Sequence, residues 1–249
     1  MPEPEPDQDK LVAVPSVRRI RQSMVDNDLH RQAVRWGTAD FSRLSSKQVD
    51  AVHRVVSSLL YAESHGNEVC GNLIRRIPYS EITDAFAVQI LDESHHTRLL
   101  TRYVLTEMRR PILRPPLIAW LTVKHLQHVG DPLVCAMGAG YFVECAAAEV
   151  QWELIHNVEE PLLAEVFNVI LRDESRHQAL GREATVFLLD QAPYREGWKR
   201  ARARMYRHFL AYYSRVTLNH YAECAKVFGI DLARIHKRTL DKVAAALPL

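Results

Sequence analysis

Asp92-Glu93-Ser94-His95-His96 and Asp173-Glu174-Ser175-Arg176-His177 are two copies of one phrase, Asp-Glu-Ser-x-His, in a chain of 249 residues. Each copy lies inside a long stretch of helical apolar periodicity, where residues three apart share a face. Glu93 is thereby stacked with His96, and Glu174 with His177. A carboxylate and an imidazole on one helical face, presented twice, suit a bundle that holds a pair of transition-metal ions in its interior. One Glu-x-x-His alone carries little weight, since a chain of this composition produces it by accident.

The rest of the chain supplies the bundle. Strand signals are almost absent, and helical periodicity is nearly continuous after residue 16. Segment 45–76 opens on Ser45 or Ser46 as N-cap, and segment 80–109 follows Pro78 with Ser80 as N-cap. The inner stripe of the latter is Phe86, Gln89, Glu93, His96 and Leu100. Residues 110–131, with Pro111, Pro115 and Pro116, read as a long crossover containing one helix-length stretch. Segment 132–157 is apolar nearly all round, as a central helix is. Segment 161–190 begins at Pro161 and carries Phe167, Ile170, Glu174, His177 and Gly181 inward. Helices over 194–227 and 231–245 pack outside. The expectation is an all-α four-helix bundle of two helix hairpins joined by a long crossover, with additional N- and C-terminal helices. Residues 1–15 read as a disordered acidic and proline-rich tail, and 16–249 as a single domain.

Two metals need two further carboxylates, one from the helix before each Glu-x-x-His. In an antiparallel hairpin, residues equidistant from the turn lie at one height. Glu63 and Glu93 are centred on Pro78, and Glu144 and Glu174 on Glu159. At the helical rise per residue, each lies about 22 Å from its turn. Two halves give one depth independently, so Glu63, Glu93, His96, Glu144, Glu174 and His177 are the expected metal ligands. Glu149, the competitor on the third helix, points away from Glu144, and Glu153 with His156 has no partner at a matching height. Asp92 and Asp173 are placed to accept the free N–H of a ligand histidine. Carboxylate and imidazole without thiolate suit two iron ions, with manganese as an alternative and zinc as an adventitious occupant.

Net charge is +2, which favours neither nucleic acid nor a membrane surface as partner. Cys70, Cys135, Cys145 and Cys224 show no CxxC spacing and read as reduced thiols, three of them in apolar helical stretches. The start of the chain lacks the basic and apolar segments of a signal peptide, and the longest apolar run, 132–143, ends at Glu144. A cytoplasmic location is expected.

The pattern Glu63…Glu93-x-x-His96…Glu144…Glu174-x-x-His177 resembles the ferritin-like di-iron carboxylate superfamily over roughly residues 45–190. Within it, Ile90-Leu91-Asp92-Glu93, Arg172-Asp173-Glu174-Ser175-Arg176-His177 and the lead-in Ala39-Asp40-Phe41-Ser42-Arg43-Leu44-Ser45 most resemble the bacterial p-aminobenzoate N-oxygenase family. The resemblance implies O2 as co-substrate at a reduced di-iron centre, an electron donor such as a reductase or ferredoxin, and oxidation of an amine or C–H bond in a small biosynthetic substrate. A homodimer is expected. That family has one more histidine ligand where this chain has Ile170. Leu100 stands where ribonucleotide reductase small subunits have a tyrosine, and Ala147 and Ala148 where multicomponent hydroxylases have a threonine. Gln89, Leu100, Tyr141, Ala148 and Ile170 are the expected substrate-pocket residues, with the small run Ala146-Ala147-Ala148 leaving room beside the metals. His65 and His95 point off the ligand face. His220 lies on the stripe Met205, Phe209, Tyr212, Tyr213 and Val216, and reads as a core histidine or an added ligand. Arg195, Lys199, Arg200, Arg202, Arg204 and Arg207 read as a solvated face, or as a dock for an acidic redox partner or a tRNA. The rival function is a ferroxidase or iron store.

Overall fold

The computed structural model describes residues 14–29, 34–191 and 197–246, without the side chains of residues 198–200, 202 and 213. Two long hairpins form its centre, and helix α2 (Ser46–Arg76) opens the first. A capping box starts it: Ser45 accepts from the Gln48 N–H while the Gln48 side chain accepts from the Ser45 N–H. Pro78 lies in the turn, and α3 (Ser80–Arg102) returns, running on into a π-helical turn at Tyr103–Glu107. The cap of α3 is Tyr79, which makes no side-chain cap bond, so Ser80 is the first helical residue rather than the N-cap that the sequence suggested.

The crossover contains helix α4 (Leu117–His128). Asn72 Nδ2 secures its end by donating to the carbonyls of Leu126 at 3.3 Å and Val129 at 2.9 Å, supplying partners that a helix C-terminus lacks. The second hairpin opens with α5 (Pro132–Met137), capped by Asp131. It passes through a π-helical stretch, Gly138–Val143, and continues as α6 (Glu144–Asn157). This composite helix is long and apolar enough to cross a membrane, and here it is the central helix, its apolar stretch mostly buried in the protein. Helix α7 (Pro161–Asp190) returns, with Pro161 in its first turn as expected. Its cap, Glu160, is buried and accepts from the N–H groups of Leu162 and Leu163, from Asp40 N–H at 3.1 Å and from Tyr103 O–H at 2.7 Å. One carboxylate thus ties the second turn to the end of α3 and to the 34–45 lead-in.

Helix α1 (Pro15–Leu29) lies against α3 and α7, with Val17 and Met24 buried and Arg18 paired with Glu81. Val14, which the sequence placed in the tail, is buried and donates its N–H to Glu81, so the fold reaches at least to Val14; residues 1–13 lie outside the described part. The helix expected over 194–227 is two: α8 (Gly197–Asn219) and α9 (Ala222–Val227). Helix α10 (Leu232–Ala246) packs on α6. The face of α8 that periodicity favours is the outer one. Met205, Phe209 and Tyr212 are exposed, Val216 is half-buried, and His220 is exposed, so it is neither a core histidine nor a ligand. Ala203, Leu210 and Leu218 face inward instead. Of the basic run, Arg204 is exposed and Arg207 half-buried; Arg195 and the side chains of Lys199, Arg200 and Arg202 lie outside the described residues.

Candidate metal centre

The six expected donors converge. Glu63, Glu93, His96, Glu174 and His177 are each no more than 6% exposed, and Glu144 is half-buried. The two imidazoles stand 5.8 Å apart between ring centres. Two groups of donor atoms close enough to share an ion form here: Glu63, Glu93 and His96, and Glu93, Glu144 and His177. Glu93 belongs to both. Glu174 stands between the histidines, with Oε1 3.7 Å from His96 Nδ1 and Oε2 3.7 Å from His177 Nδ1. The arrangement therefore has two inner glutamates, Glu93 and Glu174, and two outer ones, Glu63 beside His96 at 3.1 Å and Glu144 on the side of His177.

Both histidines turn Nδ1 inward and Nε2 outward, and the outward atoms meet the aspartates crosswise. His96 Nε2 is 3.0 Å from Asp173 Oδ2, and His177 Nε2 is 3.2 Å from Asp92 Oδ2. Each motif's aspartate thus serves the other motif's histidine, which fixes the tautomer that leaves Nδ1 available to a metal. Arg176 in turn pairs with Asp173.

Electrostatics agree with a cation-binding cluster. Burial, then the nearby Glu144 and Glu63, push the Glu93 carboxyl well above its usual range. Burial and Glu174 do the same to Glu144. Burial and Glu63 push Glu174 up to about 8. Glu63 is the exception: burial raises it, but the hydrogen bond and charge of His96 bring it below the ordinary value. For His96, burial favours the neutral ring, yet Asp173 and Glu63 outweigh it and raise the imidazole well above its ordinary value. Four carboxylates crowded together, three of them buried, cannot all ionise without compensating positive charge; protons supply it where metal ions do not. His177 Nδ1 has no hydrogen-bond partner although buried, which suits a donor aimed at a cation.

The expected pocket residues divide. Gln89 touches the cluster itself, its Nε2 donating to Glu93 Oε1 at 2.9 Å and Glu144 Oε1 at 3.0 Å. Leu100 and Ile170 are fully buried in the apolar layer towards the α6–α7 turn. Ala148 is buried, and Tyr141 is a core tyrosine whose O–H donates to the Lys242 carbonyl at 3.2 Å. None of these five lines the apolar cavity among the outer helices. That cavity, of about 220 Å³, lies between α2, α4, α6 and the C-terminal helices. Its lining includes Ala62 and Val143, next to Glu63 and Glu144 in sequence, with Ala146 and Ala147. Of the small-residue run, Ala146 and Ala147 line this cavity. The C-terminal helices that close the cavity share no motif with the bundle, so nothing in the sequence marked it.

The rejected candidates have other duties. Glu149 pairs with Arg238 at 2.6 Å and Lys242 at 2.5 Å, and Glu153 with Arg234 at 2.9 Å and Arg238 at 2.7 Å, so both clamp α10 onto α6. His156 Nδ1 lies 2.7 Å from the Trp152 carbonyl, and His65 Nδ1 2.9 Å from that of Tyr61. Cys70, Cys135 and Cys145 are buried free thiols.

No family model matches the chain, and no curated protein matches it. Solved structures do. A protein from Synechococcus with aldehyde deformylating oxidase activity superposes with a TM-score of 0.69 at 18% identity, covering 84% of this chain and 94% of that one. An R2-like ligand-binding oxidase with an aerobically reconstituted Mn/Fe cofactor superposes at 0.72 with 13% identity, over 92% and 91% of the two chains. A point mutant of such an oxidase, with an anaerobically reconstituted Mn/Fe cofactor, gives 0.73 at 12% identity, over 94% and 92%. Similarity of this extent at such low identity is similarity of fold, and the fold is the all-α ferritin-like bundle.

Proposed function

We propose that the chain is a non-haem dimetal oxidase or oxygenase that uses O2 to oxidise a small, largely apolar molecule, at an amine nitrogen or a C–H bond. The observation that carries the reading is the convergence of four carboxylates and two imidazoles at one buried depth, with an aspartate behind each imidazole. Glu63, Glu93, His96, Glu144, Glu174 and His177 would hold two ions. Iron is the first choice, with a manganese–iron pair supported by the cofactors of the similar structures. When bound, the ions supply the electrons and the O2 binding that side chains lack. The chain's own part is to aim Nδ1 of both imidazoles inward, to exclude bulk water, and to hold the substrate in the cavity beside Ala62 and Ala147. Electrons come from an external reductase or ferredoxin.

The apolar cavity favours this reading over iron storage, which needs no organic pocket. Protein reconstituted anaerobically with ferrous ion should bind two ions per chain, and on mixing with O2 should give a transient visible absorption. Two bound ions that oxidise with no transient at all, whether or not small amines and alkyl substrates are added, would point to the ferroxidase. Glu144→Ala should drop below two ions per chain while Glu149→Ala keeps both; the opposite ranking would remove Glu144 from the site.

A further inference from the structure

Gly66 lies one helical turn beyond Glu63 in the middle of α2, where a glycine weakens the helix and needs a reason. The reason lies across the interface. A Cβ built on Gly66 would stand 2.5 Å from Glu93 Oε2, 2.8 Å from Cδ and 3.0 Å from Cγ, so the Glu93 carboxylate rests on the bare α2 backbone. Glu93 is the donor common to both three-residue groups. Its other oxygen is held by Gln89 Nε2, which also reaches Glu144. One oxygen is therefore seated on Gly66 and the other is held by Gln89. The corresponding place in the other hairpin, three residues after Glu144, is Ala147, which carries a methyl group and lines the cavity.

Resting on the dimetal reading, we propose that Gly66 is a positioning residue: the missing side chain on α2 seats the Glu93 carboxylate where both ions can share it. Any side chain at 66 would push that carboxylate off its seat. The obstructing atoms are the far end of a flexible side chain, so the fold can accept the change while the metal geometry cannot.

A double-mutant cycle tests this with manganous ion, read by its electron paramagnetic resonance and by equilibrium dialysis. Gly66→Ala should weaken binding of the second ion by about tenfold or more and reduce the exchange-coupled signal of the pair. In a Glu93→Ala background, where no carboxylate is left to displace, the same Gly66→Ala change should alter manganese affinity by less than about twofold. Equal losses in both backgrounds, or no loss with Glu93 present, would overturn the role. If Gly66→Ala fails to fold, the comparison moves to circular dichroism: folding restored by Glu93→Ala supports the seat, and failure in both backgrounds refutes it. Wild-type protein that binds no manganese would instead sink the dimetal reading, which keeps the two failures apart.

Discussion

The two hairpins carry the same motif at the same spacing, yet they are built differently. In the first, α2 is one unbroken helix of 31 residues, and its Glu63 is closed off from solvent and paired with His96. In the second, the helix before the motif is interrupted by the π-helical stretch Gly138–Val143 immediately before Glu144, and Glu144 is only half-buried, beside the cavity wall. A π-helical turn inserts a residue and re-aims the helix beyond it. Glu63 is thus held below its ordinary value by His96, whereas burial and Glu174 raise Glu144 well above its own. Duplicating a donor pattern does not duplicate its environment, although α2 and α6 both line the cavity.

The largest effect should come from the contact that fixes the interrupted helix. A Cβ on Gly181 of α7 would lie 1.6 Å from the Gly140 carbonyl oxygen and 2.8 Å from the Tyr141 nitrogen. These are backbone atoms that cannot swing aside, so Gly181→Ala must part α7 from the π-helical stretch one turn before Glu144. We expect a loss of about 4 kcal/mol or more, or failure to fold, above the usual overpacking cost. At Gly71, in the uninterrupted α2, an added methyl would meet nothing within 4 Å, and Gly71→Ala should stabilise by about 0.5–1 kcal/mol. Chemical denaturation of the two variants checks the contrast; equal effects would show that the hairpins pack alike.

The second test uses pH on metal-free protein. Glu93, Glu144 and Glu174 have raised carboxyl values, so the folded state binds protons that the unfolded chain has released. Stability should be fullest below the unfolded carboxylate value of about 4.5 and should fall as pH rises towards the Glu174 value of about 8, by a few kcal/mol. The raised values of His96 and His177 act in the same sense. Glu63, lowered, acts oppositely: its contribution is present above the unfolded value and is lost as acid protonates it. At pH 8, therefore, Glu144→Gln should stabilise the metal-free protein by about 1–2 kcal/mol and Glu63→Gln should destabilise it by a similar amount. Melting temperatures across pH 4.5–8, with and without manganous ion, decide it. A metal-free profile as flat as the loaded one would refute the protonated cluster.

The clustering of the six donors is legible because helices impose a period and hairpins impose a mirror, and both act on spacing alone. Glu63 and Glu144 follow from Glu93 and Glu174 once Pro78 and Glu159 mark the turns. What spacing does not encode is contact between segments far apart in sequence. The π-helical stretch reads as ordinary apolar helix. Glu160 reads as a loop carboxylate until Tyr103 and Asp40 are brought to it. The seat at Gly66 exists only once α3 lies against α2. The inner face of α8 is misread from sequence because Met205, Phe209 and Tyr212 are as periodic as Ala203, Leu210 and Leu218, and bulk is no guide to burial there. The cavity among the outer helices is not legible because its outer walls come from helices that carry no motif.

The finest difference between the hairpins lies three residues after each motif aspartate, where Asp92 is followed by His95 and Asp173 by Arg176. Asp173 therefore reaches His96 while held by a permanent cation, and burial, opposed by His96 and Arg176, leaves its carboxyl below the ordinary value. Removing either aspartate's charge should weaken the ion whose histidine it orients, by about 10- to 100-fold for Asp92→Asn and Asp173→Asn alike. Arg176→Ala should act only through Asp173, on the ion held by His96, by about two- to fivefold, because the aspartate keeps its bond to the ring. Stepwise manganous titration distinguishes two unequal sites from two equal ones. If Arg176→Ala lowered both affinities equally, the arginine would be stabilising α7 rather than one imidazole, and the halves would be equivalent at this level.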